Sequence, residues 1–259
     1  WIVGFVAMAL KYSEACVSIA VREKKPEGGY KGGANYYLSK INKPLGFAWT
    51  IAIMYSLITA AGVHTGSVVT AAESLGVPRL VATIIVCIII ALIIFGGLQA
   101  LVQITERLVP FMAAIHILAG LAVVVLNIGN LVPAIVSIFK GAFTGTAAIG
   151  GFAGATISAA IRNGCARGVY SSDAGNGQSS IAYSQSAETD PVKQGMWGIF
   201  EVFFDTIVVC TFTALVILCT GVWQTGEAGS TLAITAFTSA LGGIGKVIAS
   251  IGLIMFAGS

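Results

Sequence analysis

The chain has 259 residues, 56% of them hydrophobic and only 10% charged, with a formal net charge of +3 and a mean hydropathy of +0.91. Soluble domains carry roughly 25% charged residues, so this stock cannot cover a water-facing surface. A bilayer is the solvent it suits, and the length allows about seven spans of roughly 20 residues.

In chain order, the predicted spans are residues 1–21, 45–72, 80–102, 109–126, 147–168, 196–222 and 244–259. The fifth is weaker because it is rich in Gly and Ala and carries Arg162, and a helix break is expected to run from it to residue 180. Two further apolar stretches, 131–143 and 231–241, are too short to cross and suit amphipathic helices lying along one face. Residues 1–259 thus read as a single all-α polytopic membrane domain. Trp1 and Ser259 both fall inside apolar runs, so truncation at both ends is expected. The first segment has no charged n-region and no cleavage site, unlike a signal peptide.

Lys and Arg set the expected sidedness. Arg22, Lys24, Lys25, Lys31, Lys40 and Lys43 crowd the first loop, and Arg107 and Lys193 alternate onto the same side. Loop 22–43 is therefore predicted to be cytoplasmic, with the first span running from outside to inside.

Cys16, Cys87, Cys165, Cys210 and Cys219 form no CxxC pair and read as small buried hydrophobes. There is no HExxH, GxSxG or Walker motif and no metal-ligand cluster, so neither an enzyme nor a bound cofactor or metal is expected. No basic, aromatic-interleaved surface points to nucleic acid.

Lys11, Glu14, His64, His116, Glu201 and Asp205 fall inside spans, where each ionisable group costs roughly 2.5 kcal/mol or more and faces protein or water rather than lipid. Lys11 and Glu14 stand three apart on one helical face and can pair, as a packing device or at a binding site. Glu201 and Asp205, four apart, suit either a cation relay or an anchor beside a wet vestibule. His64 and Thr65 sit among small and hydroxylated residues, which permit close helix packing or leave room for a ligand. His116 has apolar neighbours only and is expected to be a core histidine bonded to nearby backbone.

Two segments weaken the helix next to these spans. In GVYSSDAGNGQSS (168–180), Gly175 and Gly177 free the backbone, while Ser171, Ser172, Asp173 and Asn176 compete for its hydrogen bonds. Transporters place such unwound segments at their binding sites; an ordinary cytoplasmic loop is the alternative. In GGFAGAT (150–156), Gly151, Gly154 and Thr156 would let backbone approach a small ligand, or simply pack against another helix.

These segments carry a resemblance. KYSEACVSIAVREKKPEGGYKGGANYYLSK (11–40), FGGLQALVQITERLVPFMA (95–113), GGFAGATISAAIRNGCARGVYSSDAGNGQSSIA (150–182) and DPVKQGMWGIFEVFFDTIVVCTFTALVILCTG (190–221) resemble the alanine/glycine:cation symporter family over nearly the whole chain. The resemblance implies a sodium- or proton-coupled symporter of small neutral amino acids in a prokaryotic cell membrane. Its partners would be the amino acid, the coupling cation and the lipid bilayer. It also implies part of the five-plus-five inverted-repeat fold of the bacterial leucine transporter. The first span would then be the second helix of the first repeat, and 150–180 the broken first helix of the second. Where the family reads ARG[LV]FSNEAG, this chain has Tyr170, Ser172 and Asp173 in place of Phe, Asn and Glu, which keeps a π-face and an acid. GVHTGSVVTAAES lacks the Asn and Gln usual near the centre of the second span, so the substrate can differ from the family's. The final MFAGS resembles FAFTT, whose hydroxyls lie where this fold holds sodium, and Ser259 would match one of them. A channel would need a selectivity filter or rings of charge, and neither is evident; another ion or solute carrier is the remaining alternative.

Overall fold

The computed structural model describes residues 1–26, 28–143 and 157–258. Helix α1 (Ile2–Val21) leads into a short antiparallel pair, β1 (Glu23–Lys24) and β2 (Tyr30–Lys31). Glu23 stands opposite Lys31, and their side chains pair at 3.5 Å. Then follow α2 (Ala34–Ile41), α3 (Lys43–Ser74), α4 (Arg79–Leu126), α5 (Leu131–Phe143), α6 (Ile157–Ser172) and α7 (Ser179–Ser184). Helix α8 (Pro191–Val202) passes through a π-helical turn, Phe203–Val209, into α9 (Cys210–Thr220). Helix α10 (Ser230–Gly258) is interrupted at Gly242, whose φ of 63° and ψ of −144° are not helical. Among the described residues, five helical runs are long and apolar enough to cross a membrane: Ile2–Val21, Lys43–Ser74, Thr105–Leu126, Pro191–Thr220 and Ser230–Gly258.

The chain divides into two compact units, Trp1–Thr59 with Ser158–Cys210, and Ala60–Ile157 with Thr211–Ser259. In the first, α1 packs along α8, and glycine makes the approach close. A Cβ at Gly195 would stand 2.6 Å from Cys16 Sγ and from the Tyr12 ring, and one at Gly198 would stand 3.1 Å from the Lys11 carbonyl. One turn of α8 separates the two, so both face α1, and small residues on a shared stripe let two backbones draw together in lipid. Gly168 of α6 meets Val3 in the same way, at 2.8 Å. Asp190 caps α8 by accepting from the Val192 N–H at 2.9 Å, and Pro191 occupies the first helical position, where its missing N–H costs nothing.

The lower end of this unit is tied by Arg22. Its guanidinium lies 3.6 Å over the Tyr30 ring and donates to the carbonyls of Ser184 (3.2 Å), Ser186 (2.6 Å) and Glu188 (2.6 Å). The planar fork of arginine suits several acceptors at once. Backbone N–H groups of Asp190 and Thr189 both donate to Glu188, which holds its carboxyl below the usual range.

The second unit has its own core, in which Val123 and Val124 of α4 meet Val216 of α9 and Ile234, Phe237 and Ala249 of α10. Ser74 and Ser250 hydroxyls bond at 2.6 Å, and Asn130 Nδ2 donates to the Cys219 carbonyl at 2.8 Å. His116 is held here, but by a side chain: its Nε2 lies 2.8 Å from Thr213 Oγ1, between the rings of Phe237 and Phe256.

Two further expectations change. Where spans 80–102 and 109–126 were predicted, the structure has one 48-residue helix, Arg79–Leu126; at 1.5 Å per residue that is about 72 Å, longer than a bilayer of about 40–45 Å. Glu106 and Arg107 interrupt the apolar run without supplying any turn residue, and charge alone does not unwind a helix. The cysteines were expected to be buried, yet Cys87, Cys165 and Cys210 are exposed and only Cys219 is buried. In a bilayer an apolar side chain gains nothing by facing protein rather than lipid, and Ile2, Phe5, Phe47 and Ile58 are exposed for the same reason.

The glycine contact between α1 and α8 gives a direct test. Gly195→Ala, whose new methyl meets sulfur and ring atoms at 2.6 Å, is expected to destabilise by about 1–3 kcal/mol. Gly62→Ala, with nothing within 4 Å, is expected to leave stability unchanged or slightly raised. Thermal melting of the two purified variants in detergent separates them, and equal melting would show that the contact is loose.

Candidate functional site

Helix α6 ends at Ser172 and α7 begins at Ser179, with six residues between them. Between them the backbone leaves the helical region. Asp173 has a φ of 46°, Gly175 of 87° and Gly177 of 83°. The left-handed region is open to glycine and costs other residues energy. At Gly177 the space is closed as well, since a Cβ there would stand 2.7 Å from the Ala34 Cβ and 3.0 Å from the Trp49 ring.

Such a break strips two helix ends of their partners: the last carbonyls of α6 and the first N–H groups of α7. Both sets are met by α1. Lys11, fully buried, donates from Nζ to the carbonyls of Ser172 at 3.1 Å and Asp173 at 3.2 Å, and to the Ser179 hydroxyl. Glu14, also buried, accepts from the Gly175 N–H at 3.1 Å and the Ser180 N–H at 3.0 Å, one on each carboxylate oxygen. The cation faces the negative end of α6 and the anion the positive end of α7, as the helix dipoles require. Lys11 and Glu14 were expected to be able to pair with one another; the ion pair of Lys11 is instead with Glu201, at 3.4 Å.

The side chains of the break bind one another. Asp173 accepts from Asn176 Nδ2 at 2.5 Å and from Ser179 Oγ at 2.9 Å, while Asn176 Oδ1 accepts from the Gln178 N–H at 2.8 Å. Trp49 Nε1 donates to the Asn176 carbonyl at 2.9 Å, anchoring the break to α3. The segment Asp173–Gln178 is non-helical, within the 168–180 stretch where the sequence predicts a weakened helix. Ser171 and Ser172 still belong to α6. Ser172 is buried, whereas Tyr170 and Gly175 are exposed.

Glu201 and Asp205 take different partners. Glu201 is bound by Lys11 and by the Tyr183 hydroxyl, and its side chain is 52% exposed. Asp205 is half-buried and accepts from Ser171 Oγ at 2.7 Å; the same hydroxyl lies 3.1 Å from Thr206 Oγ1. The π turn brings this about. The Cys210 N–H reaches back to the Asp205 carbonyl, so the extra residue rotates Asp205 and Thr206 relative to Glu201. Such single π turns inside α-helices are frequent at functional sites.

The other predicted residues are elsewhere. His64 is exposed and Thr65 half-buried, both on α3 within the second unit. Gly151, Gly154, Thr156 and Ser259 lie outside the described residues. Trp49, Tyr183 and Ser179 were not singled out from the sequence. Trp49 and Ser179 bond partners 127 and 168 residues away, Asn176 and Lys11, while Tyr183 lies 18 residues from Glu201; only a hydroxyl or ring in an apolar setting hinted at them.

Glu14 supports two backbone N–H groups with two oxygens, and glutamine offers only one. Glu14→Gln is therefore expected to leave a buried donor unmet at a cost of about 1–3 kcal/mol. Hydrogen exchange should show Gly175 and Ser180 amides opening together and earlier than those of α8. Unchanged protection at both amides would mean that the break is held without Glu14.

A sequence model of the Sodium:alanine symporter family matches residues 1–259. An uncharacterized transporter of Bacillus subtilis (strain 168), YflA, is 38% identical over 99% of this chain and 56% of its own length. The sodium/alanine symporter AgcS of Methanococcus maripaludis is 37% identical over 99% of this chain and 58% of its own. The probable sodium/glutamine symporter GlnT of Bacillus subtilis (strain 168) is 31% identical over 99% of this chain and 54% of its own. The chain therefore spans little more than half the length of these relatives.

Proposed function

The chain belongs to the sodium:alanine symporter family, a family of transporters rather than enzymes, and is part of a multi-pass membrane protein; from that premise we propose that it carries a small neutral amino acid, alanine or glycine, together with sodium. The observation that supports this most is the α6–α7 break. Its polar backbone is held by buried charges on α1, yet Gly175 and the flanking Tyr170 stay exposed. An amino-acid zwitterion needs both its charges met away from lipid, and unwound backbone with half-helix ends can do this without a charged side chain in direct contact. Tyr170 offers a ring face, and the absent side chain of Gly175 leaves room for a small ligand. Ser171, Ser172 and Asp173 shape that site from the α6 end; from the sequence, Gly151, Gly154, Thr156, His64 and Thr65 are further proposed substrate-binding residues, and Ser259 a proposed sodium ligand.

We take the fold to be part of a five-plus-five inverted repeat working by alternating access. Counting from α1 as second helix of the first repeat and α6–α7 as broken first helix of the second, Pro191–Thr220 becomes second helix of the second. Repeat counterparts α1 and α8 then pack on one another through Gly195 and Gly198, which supports this assignment. Alanine is favoured as substrate by the likeness to the sodium/alanine symporter; glutamine is the second reading, from the likeness to the probable sodium/glutamine symporter.

Full-length protein in liposomes should accumulate labelled alanine under an inward sodium gradient, and should lose this when sodium is replaced by choline. Gly175→Leu is expected to weaken apparent affinity at least about tenfold, the equivalent of roughly 1.4 kcal/mol of lost fit. Stronger competition by glutamine than by alanine would move the assignment to the second reading. Non-saturating flux indifferent to ion gradients would point to a channel.

Loop 22–43 is taken to be cytoplasmic, as its lysines and Arg22 require. A cysteine at Gly29, which has open space around it, should stay unlabelled by membrane-impermeant thiol reagents on intact cells. Prompt labelling from outside would invert the topology.

A further inference from the structure

Lys11 has no exposure at all, and its ammonium lies among oxygens. Two are the carbonyls that end α6, Ser172 at 3.1 Å and Asp173 at 3.2 Å; a third is the Ser179 hydroxyl; a fourth is Glu201 Oε1 at 3.4 Å. The Tyr183 ring adds its face at 5.7 Å from the nitrogen. Helix-end carbonyls, a hydroxyl and one carboxylate form the donor set by which broken helices hold a monovalent cation. Here the cation is supplied by the chain. Its surroundings are strongly anionic: Glu14 stands three residues along α1, Asp173 itself supplies one of the carbonyls, and Asp205 lies four residues beyond Glu201 in the π turn. A bare, neutral site would leave two helix-end carbonyls unmet and Glu201 without its counter-ion, so one positive charge is required.

We propose that Lys11 is a tethered cation filling an oxygen-lined monovalent-cation site at the C-terminal end of α6, and that a small diffusible cation occupies the site once the side chain is cut away. The break is then held by a charge that neither binds nor leaves during a cycle, separate from any coupling ion. This inference stands on the local geometry and does not need the transport reading to hold.

The test is thermal melting of the purified full-length protein in detergent, with choline, methylammonium, sodium or potassium chloride at equal concentration. Methylammonium reproduces the lysine head and is small enough to enter; choline is too large. Wild type and Lys11→Arg should melt alike in choline and methylammonium. Lys11→Ala should melt lower in choline by about 5 °C or more, and methylammonium should restore at least half of that loss. Lys11→Met fills the space with an apolar chain and should stay low in both salts. Sodium and potassium are read as the difference between variant and wild type, so that binding at a coupling site cancels. The proposal is overturned if Lys11→Ala melts with wild type in choline, or if methylammonium fails to separate Lys11→Ala from Lys11→Met. Should Lys11→Ala be lost on extraction in choline, extraction in methylammonium decides: folded protein supports the tethered cation, and loss in both salts overturns it.

Discussion

A helix that breaks exposes carbonyls at one end and N–H groups at the other, and where they are buried each needs a partner from the protein. The α6–α7 break meets this constraint with one turn of a neighbouring helix. Lys11 takes the carbonyls of Ser172 and Asp173, and Glu14 takes the N–H groups of Gly175 and Ser180. Spacing of three residues on α1 puts the two charges on one face, where each reaches one of the two helix ends. The remaining features of the first unit serve to keep α1 in that position. Gly195 and Gly198 admit it against α8, Gly168 admits it against α6, and Arg22 fastens the chain beyond it to the segment after α7.

Charged groups that hold backbone rather than ligand have a functional consequence. They let the break persist with Gly175 and Tyr170 exposed beside it; on the proposed transport reading, an incoming small molecule meets preorganised polar backbone and does not bear the cost of unwinding a helix. The π turn at Phe203–Val209 acts on the other side of α6. By inserting one residue it points Asp205 at Ser171 while Glu201, a turn earlier, reaches Lys11 and Tyr183. Two carboxylates that share a face in a regular helix are thereby assigned to two separate tasks.

Parts of this were legible in the sequence, each for a local reason. Gly175 and Gly177 amid Ser, Asp and Asn announced a break because those residues alone tolerate left-handed backbone or bond their own main chain; both have positive φ. Long uncharged runs announced the helices. Other parts were hidden because their cause is remote. Lys11 and Glu14 looked like partners by spacing, yet their hydrogen-bond partners lie some 161 to 168 residues away, and the ion pair of Lys11 is with Glu201, farther still. His116 was expected to bond backbone, and its acceptor or donor is the hydroxyl of Thr213 on a helix that sequence distance gives no means of choosing. Cysteines that looked like core residues are exposed, because hydropathy distinguishes water from everything else and cannot distinguish lipid from protein.

By itself, the sequence determined the solvent, the helical class, the family and the place where α6 gives way, since all four follow from composition, period or contiguous motif. Only the tertiary structure decided which charges support that break, that α8 carries a π turn redirecting Asp205, and that Arg79–Leu126 runs on as one helix. The physical reason is the same in each case. Hydrophobic patterning reports what a segment avoids, while hydrogen bonds and ion pairs depend on distance and direction between residues that the chain alone does not bring together.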